Sequence, residues 1–212
     1  PTAEHTIGLL MSLYRNIPWS FNQVINQKVW NRYSWSSPKM LSRMTIGIIG
    51  YGRLGKKIAK FCKALGMQVY WYDPYVNGGE KTLKSMARKS NFISINCSVN
   101  DRNYHLVDKK IMLAMPYGSF IINTARGELL NMSDLLDLME SGHIKGAALD
   151  TLEAEFESNF LDSKLNNRII KFAKKNTNLL ITPHIGGSTE DAWYETQRKI
   201  INKINSFFYK KK

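Results

Sequence analysis

The stretch that decides the reading is GIIGYGRLGKKIAKFCKALGMQVYWYDPY, residues 47–75. Gly50, Gly52 and Gly55 follow a short β-branched run and open a segment, 53–65, whose apolar residues recur at helical spacing. At a strand-to-helix junction such a trio has a mechanism. The first glycine permits the tight turn, the second lets backbone approach a pyrophosphate, and the third lets the helix pack on the strand. Amides at the helix N-terminus, with Arg53 and Leu54 contributing, then face the phosphates of a dinucleotide. Asp73 closes the next strand 23 residues after Gly50. A carboxylate there accepts hydrogen bonds from the adenosine ribose and repels a ribose phosphate. Pro74 and Tyr75 follow it, not an arginine, so the expected cofactor is NAD rather than NADP.

Outward from this stretch the chain alternates. MTIGIIG, MQVYWYD, FISIN, SFIIN, GAALD and LLIT read as strands, and DKKIMLAM and MSDLLDLMES read as helices between them. Apolar strands without strict alternation, interleaved with helices, predict a parallel sheet covered on both faces, a doubly wound α/β domain. Residues 2–15 predict a helix capped by Thr2, and a last helix is expected from Ser188, with Glu190 and Asp191 in its first turn. Residues 16–37 read as irregular and turn-rich, yet carry Trp19, Phe21, Trp30, Tyr33 and Trp35. That density of aromatics predicts a partner surface, here a dimerisation arm. The expected division is 1–37 for the N-terminal helix and arm, 38–187 for the nucleotide-binding domain, and 188–212 for the C-terminal helix.

Composition narrows the class. The 212 residues are 43% hydrophobic and 22% charged, enough for a buried core. No run approaches the roughly 18 apolar residues of a membrane span, so a soluble protein with no membrane partner is expected. Cys62 and Cys97 are the only cysteines, too few for a disulfide framework and without metal-ligand spacing. A reducing, cytoplasmic setting and no metal site are the expectation. The net charge is +13, and no acid lies between Glu4 and Asp73 while ten Lys or Arg do. These basic residues fall on presumed helix faces without base-stacking aromatics among them, so a solvated surface is expected and not nucleic acid. Pro1 in place of a methionine predicts a fragment.

Three later stretches carry polar residues just past strand ends, where an open α/β sheet binds ligands. They are NTARGE with Arg126, ALDTLEAE with Asp150 and Glu155, and TPHIGGST with His184. An arginine alone is usually a surface ion pair and a histidine alone usually structural. Their joint placement on the nucleotide edge of one sheet points to a site instead.

TAEHT, GYGRLG, YDPY, INTARGELL, GHIKGAALD and TPHIGGST, in this order, resemble the D-isomer-specific 2-hydroxyacid dehydrogenase family. TPHIGGSTEDA is most similar to its 3-phosphoglycerate dehydrogenase branch. The resemblance implies a Rossmann NAD-binding domain with the substrate domain largely absent, since the family has a further segment ahead of TAEHT. It implies hydride transfer between the nicotinamide and the hydroxyl-bearing carbon of a small D-2-hydroxy acid or its 2-keto acid, 3-phosphoglycerate-like in that branch. His184 would take or return the hydroxyl proton, Glu155 would fix its ring, and Arg126 would hold the substrate carboxylate. Asp150 would contact the nicotinamide carboxamide, and Cys97, Thr124, Ala125, Arg126, His184, Gly186 and Gly187 would line the cofactor. A homodimer is implied as well, and an isolated chain that binds NADH but turns over poorly.

The sequence departs from the family in two places. Phe156 stands where the family has proline, and 156–178 is longer and more basic, which leaves Glu153 and Glu157 open as the carboxylate. INCSVN, 95–100, replaces the usual HVP and threonine. A competing reading is a non-catalytic NAD(H)-sensing interaction module of the corepressor type, to which the aromatic arm and basic surface would belong. Retention of Arg126, Glu155 and His184 weighs against it, because a sensor needs no proton acceptor.

Overall fold

The computed structural model describes residues 1–33 and 37–209; Trp35 of the expected arm lies outside them. Six strands form one all-parallel sheet: β1 (Thr45–Ile49), β2 (Gln68–Tyr72), β3 (Phe92–Ile95), β4 (Ser119–Asn123), β5 (Ile144–Leu149) and β6 (Leu179–Ile181). Their order is β2-β1-β3-β4-β5-β6. The order reverses at β1, so β1 and β3 diverge into opposite halves and leave a crevice beyond their C-terminal ends. All six expected strands are present.

Among the described residues, eight α-helices cover the sheet or project from it: α1 (Thr2–Tyr14), α2 (Ile17–Ile25), α3 (Arg53–Ala64), α4 (Leu83–Arg88), α5 (Lys109–Ala114), α6 (Met132–Glu140), α7 (Lys164–Lys175) and α8 (Glu190–Tyr209). The two-residue period of each strand sends neighbours to opposite faces. Ile46, Ile48, Phe92, Phe120 and Ile122 pack with Leu9, Leu10 and Leu13 of α1 and Ile58 and Cys62 of α3. Ile49, Ile93, Ile95 and Ile121 face the other way, onto Met86 of α4, Met112 of α5, Leu135 and Leu136 of α6 and Ile169 of α7. Tyr14 meets Phe92 and Phe120 edge to face, with centroids 5.1 and 5.4 Å away. Thus α1, grouped by sequence with the arm, buries its apolar face on the sheet.

Three local expectations are corrected. Thr2 is the first helical residue, not a cap: Pro1 holds the N-cap position, and no side chain caps α1. Residues 16–37 are not irregular throughout, because α2 forms with proline in its first turn, where a missing N–H costs no hydrogen bond. The last helix begins at Glu190; Thr189 precedes it, its Oγ1 accepting from Ala192 N–H at 3.3 Å.

Two apolar surfaces lie open. Ile17, Phe21, Val24 and Ile25 of α2, with Trp30 at 89% exposure, form one. The other is α8, where Trp193, Ile200, Ile201, Ile204, Phe207 and Phe208 are all exposed. No helix among the described residues is long and apolar enough to cross a membrane.

Candidate active site

The crevice past β1 and β3 is built by the glycine turn. Gly50 sits at φ +87°, and a Cβ on it would come within 2.7 Å of Cys97 N. A Cβ on Gly55 would lie 2.1 Å from Gly50 O, so α3 packs directly on the turn. Gly52 is the N-cap of α3 and supplies no side chain to it, which leaves the first-turn amides without a capping side chain. Asp73 is fixed beside them: Tyr51 N–H donates to Oδ2 at 2.8 Å and Tyr75 N–H to Oδ1 at 2.9 Å. Each oxygen keeps acceptor capacity for a further donor.

Two adjoining clefts share Asn96, Cys97 and Ser98 as their common wall. One, of about 430 Å³, is lined by Gly50, Gly52 and Asp73. The other, of about 470 Å³, is lined by Leu54, Thr124, Ala125, Arg126, Asp150, His184 and Gly187. Together they form a trough from the end of β2 to the end of β6. Burial pushes the Cys97 thiol up to about 11, with Asp73 adding in the same direction. It is a neutral wall group at pH 7.

Of the residues expected in the site, Gly55 and Gly186 lie behind the wall as packing, and Arg53 is the exposed first residue of α3. Glu155 stands behind His184, the Oε1···Nδ1 distance being 2.5 Å. A carboxylate only accepts, so Nδ1 carries a proton, and in the neutral ring Nε2 is the acceptor. Leu152 N–H donates to the other Glu155 oxygen at 3.3 Å. The two competing carboxylates are otherwise placed: Glu153 is bound by Tyr104 Oη and by His105 at 3.2 Å, and Glu157 is exposed. Glu153 pushes the Tyr104 hydroxyl up to about 12. Phe156, in the family's proline position, is 83% exposed with its ring 6.1 Å from that of His184.

Arg126 projects from the turn after β4 and is exposed, donating from Nη1 to Ala125 O at 2.7 Å. Buried Asn123 holds this turn, donating to Arg126 O at 2.8 Å and accepting from Ala125 N–H at 3.1 Å. Gly127 lets the turn press on the next loop, since a Cβ would lie 2.1 Å from Glu153 N. The arginine and the carboxylate loops are thereby locked together.

Asp150 lines the cleft, but its carboxylate is already engaged. Ile185 N–H and Thr182 Oγ1–H donate to Oδ1 at 3.0 and 2.5 Å, and Gly186 N–H donates to Oδ2 at 2.8 Å. His184, between those donors, adopts φ +52°, and its own N–H donates to Asp150 O at 2.8 Å. Asp150 is therefore the clamp of the His184 turn.

Sequence reasoning passed over the face of α1 that reaches this clamp. His5 Nε2 lies 3.2 Å from Asp150 Oδ1 and 3.1 Å from Thr182 Oγ1. Thr6 Oγ1 bonds Thr124 Oγ1 at 2.8 Å, fully buried. Thr2, His5 and Thr6 recur at i, i+3 and i+4, a polar stripe on the first turns of a helix whose later turns are mostly apolar, and that spacing was the signal available. Among the described residues no group of three His, Cys, Asp or Glu could hold a metal ion.

A family model described as D-isomer specific 2-hydroxyacid dehydrogenase, NAD binding domain, matches residues 7–186. The D-3-phosphoglycerate dehydrogenase of Bacillus subtilis is 29% identical over 97% of this chain. An aromatic 2-oxoacid reductase of Clostridium sporogenes is 32% identical over 90% of it. Among solved structures, the D-lactate dehydrogenase of Aquifex aeolicus, complexed with NAD and lactic acid, is 25% identical over 97% of this chain, with a TM-score of 0.86. The chain spans 38%, 60% and 65% of the lengths of these three.

Proposed function

Because the chain belongs to the D-isomer-specific 2-hydroxyacid dehydrogenase family, matching its NAD-binding domain, we propose that it binds NAD(H) in the trough and serves interconversion of a small D-2-hydroxy acid and its 2-keto acid. The observation that carries this reading is the His184–Glu155 contact, with His184 lining the same cleft as Arg126 and Asp150.

The residues present fit the dinucleotide. A Cβ on Gly52 would meet nothing within 4 Å, so the protein's own packing does not demand glycine there. A phosphate approaching the backbone does. The uncapped first turn of α3 supplies amides to it, and Asp73 supplies acceptors for ribose hydroxyls. NAD, when bound, supplies the hydride acceptor or donor.

The chain's own residues supply the rest. His184 Nε2, unprotonated while Nδ1–H faces Glu155, takes the hydroxyl proton of a 2-hydroxy acid and returns it in the reverse direction. Glu155 fixes ring and tautomer and stabilises the imidazolium when it forms. Arg126, at the cleft rim, holds the substrate carboxylate with its planar fork. Asp150 keeps the His184 turn in place, and any contact to the nicotinamide side is secondary to that. The His184–Glu155 pair favours catalysis over NAD(H) sensing alone, since a sensor has no use for a proton acceptor.

The open apolar faces of α2 and α8 support a homodimer, and two free cysteines suit the cytoplasm. The function is tested by offering the full-length protein a panel of 2-keto acids with NADH. NADH consumption with D-2-hydroxy acid product supports it, and none with any 2-keto acid overturns it.

A further inference from the structure

We infer that His5, on the first turns of α1, is a positioning residue for His184, acting through the Asp150 clamp. The inference rests on the reading of His184 as proton acceptor. Hydrogen-bond accounting sets the direction of each contact. Thr182 has one hydroxyl proton, and it lies on Asp150 Oδ1 at 2.5 Å, so toward His5 the hydroxyl accepts. Asp150 only accepts. His5 Nε2 therefore carries its proton and shares it between Asp150 Oδ1 at 3.2 Å and Thr182 Oγ1 at 3.1 Å.

That proton is the last link in a closed set. Asp150 Oδ1 receives Thr182, Ile185 and His5, and Oδ2 receives Gly186. The donors from the turn flank His184 on both sides. His184 stands in the left-handed region at φ +52°, which a side-chain-bearing residue keeps only where its surroundings fix it. His5 also packs on the turn: a Cβ at Gly186 would lie 3.1 Å from His5 Cδ2, so the absent side chain there makes room for the imidazole. His5 is mostly covered, at 22% exposure, and Asp150 at 1% is almost wholly so. A buried carboxylate that loses a donor loses an electrostatically strong one. α1 itself is anchored through Leu9, Leu10 and Leu13 in the core, so His5 is held from a rigid element.

The test is nuclear magnetic resonance on the isotopically labelled chain, with no cofactor or substrate needed. His5→Ala removes the donor; His5→Gln restores an N–H at similar reach. In His5→Ala, exchange of the Ile185 and Gly186 amides should accelerate by about tenfold, one charge-assisted hydrogen bond being lost. The His184 ring nitrogens should move from a single Nδ1–H form to a mixture, while the Ile95 amide of β3 keeps its protection. His5→Gln should recover both signals. Unchanged amide exchange and an unchanged His184 ring in His5→Ala would overturn the inference, as would failure of His5→Gln to recover them. Absence of NADH binding or turnover would instead count against the function proposed above, and leaves this readout intact.

Discussion

His184 Nδ1 lies 2.5 Å from Glu155 Oε1, joining the turn after β6 to the loop after β5. With Nδ1 committed, only Nε2 can take a proton from substrate. His184→Ala should lower kcat for 2-keto acid reduction by about a hundred- to ten-thousandfold, and leave the NADH dissociation constant within about twofold, a change of only a few tenths of a kcal/mol. Glu155→Gln should also cut kcat, because an amide can donate to Nδ1 and place the ring proton on Nε2. Steady-state kinetics beside NADH titration separate the two effects.

Asp73 should set cofactor preference. Its carboxylate is held in place by the amides of Tyr51 and Tyr75, so it cannot swing away from a ribose phosphate. NADH should bind better than NADPH, and Asp73→Ala should weaken NADH by about tenfold or more, as for loss of hydrogen bonds to a charged group. NADPH should weaken less, or gain. Titrating both cofactors against both proteins checks the preference.

Cys97 should resist alkylation at pH 7. Burial holds its thiol at about 11 against an ordinary 9.0. The neutral form is favoured in the folded chain, so this group's contribution to stability is full below about pH 9 and is lost as pH rises toward about 11. Alkylation followed by mass spectrometry should show slow modification at neutral pH, faster in alkali and slowed by NADH, since Cys97 walls both clefts.

Leu10 is fully buried between α1 and the sheet. Leu10→Ala should destabilise the chain by about 2–5 kcal/mol, measured by denaturant unfolding, and should loosen the α1 platform that carries His5.

The exposed faces of α2 and α8 predict self-association. Light scattering should report twice the 24.4 kDa chain mass, and Phe21→Glu with Ile25→Glu should shift it toward the single value.

The six strands were legible because apolar runs such as FISI and SFIIN, buried on both faces, are interleaved with helical segments, as a covered parallel sheet requires. The glycine turn and Asp73 were legible because their spacing carries its own mechanism. α2 was hidden by Asn16 and Pro18, which signal a turn, while its apolar side chains face outward. α7 was hidden by four lysines and an arginine among its 12 residues, its inward face resting on few side chains such as Ile169. The resemblance pointed to Glu155 but left Glu153 and Glu157 open; folding sets Glu155 against His184 and engages Glu153 with Tyr104 and His105. The clamp was illegible for a related reason. Asp150 meets the amides of Ile185 and Gly186, and backbone donors leave no mark on residue type.

The trough as a dinucleotide site is tested most directly by titrating NADH into the chain and following the cofactor's fluorescence, beside Gly52→Val. Saturable binding by the native sequence, lost when a side chain fills the space over Gly52, is the predicted result. No binding at millimolar NADH, or equal binding by Gly52→Val, would contradict it.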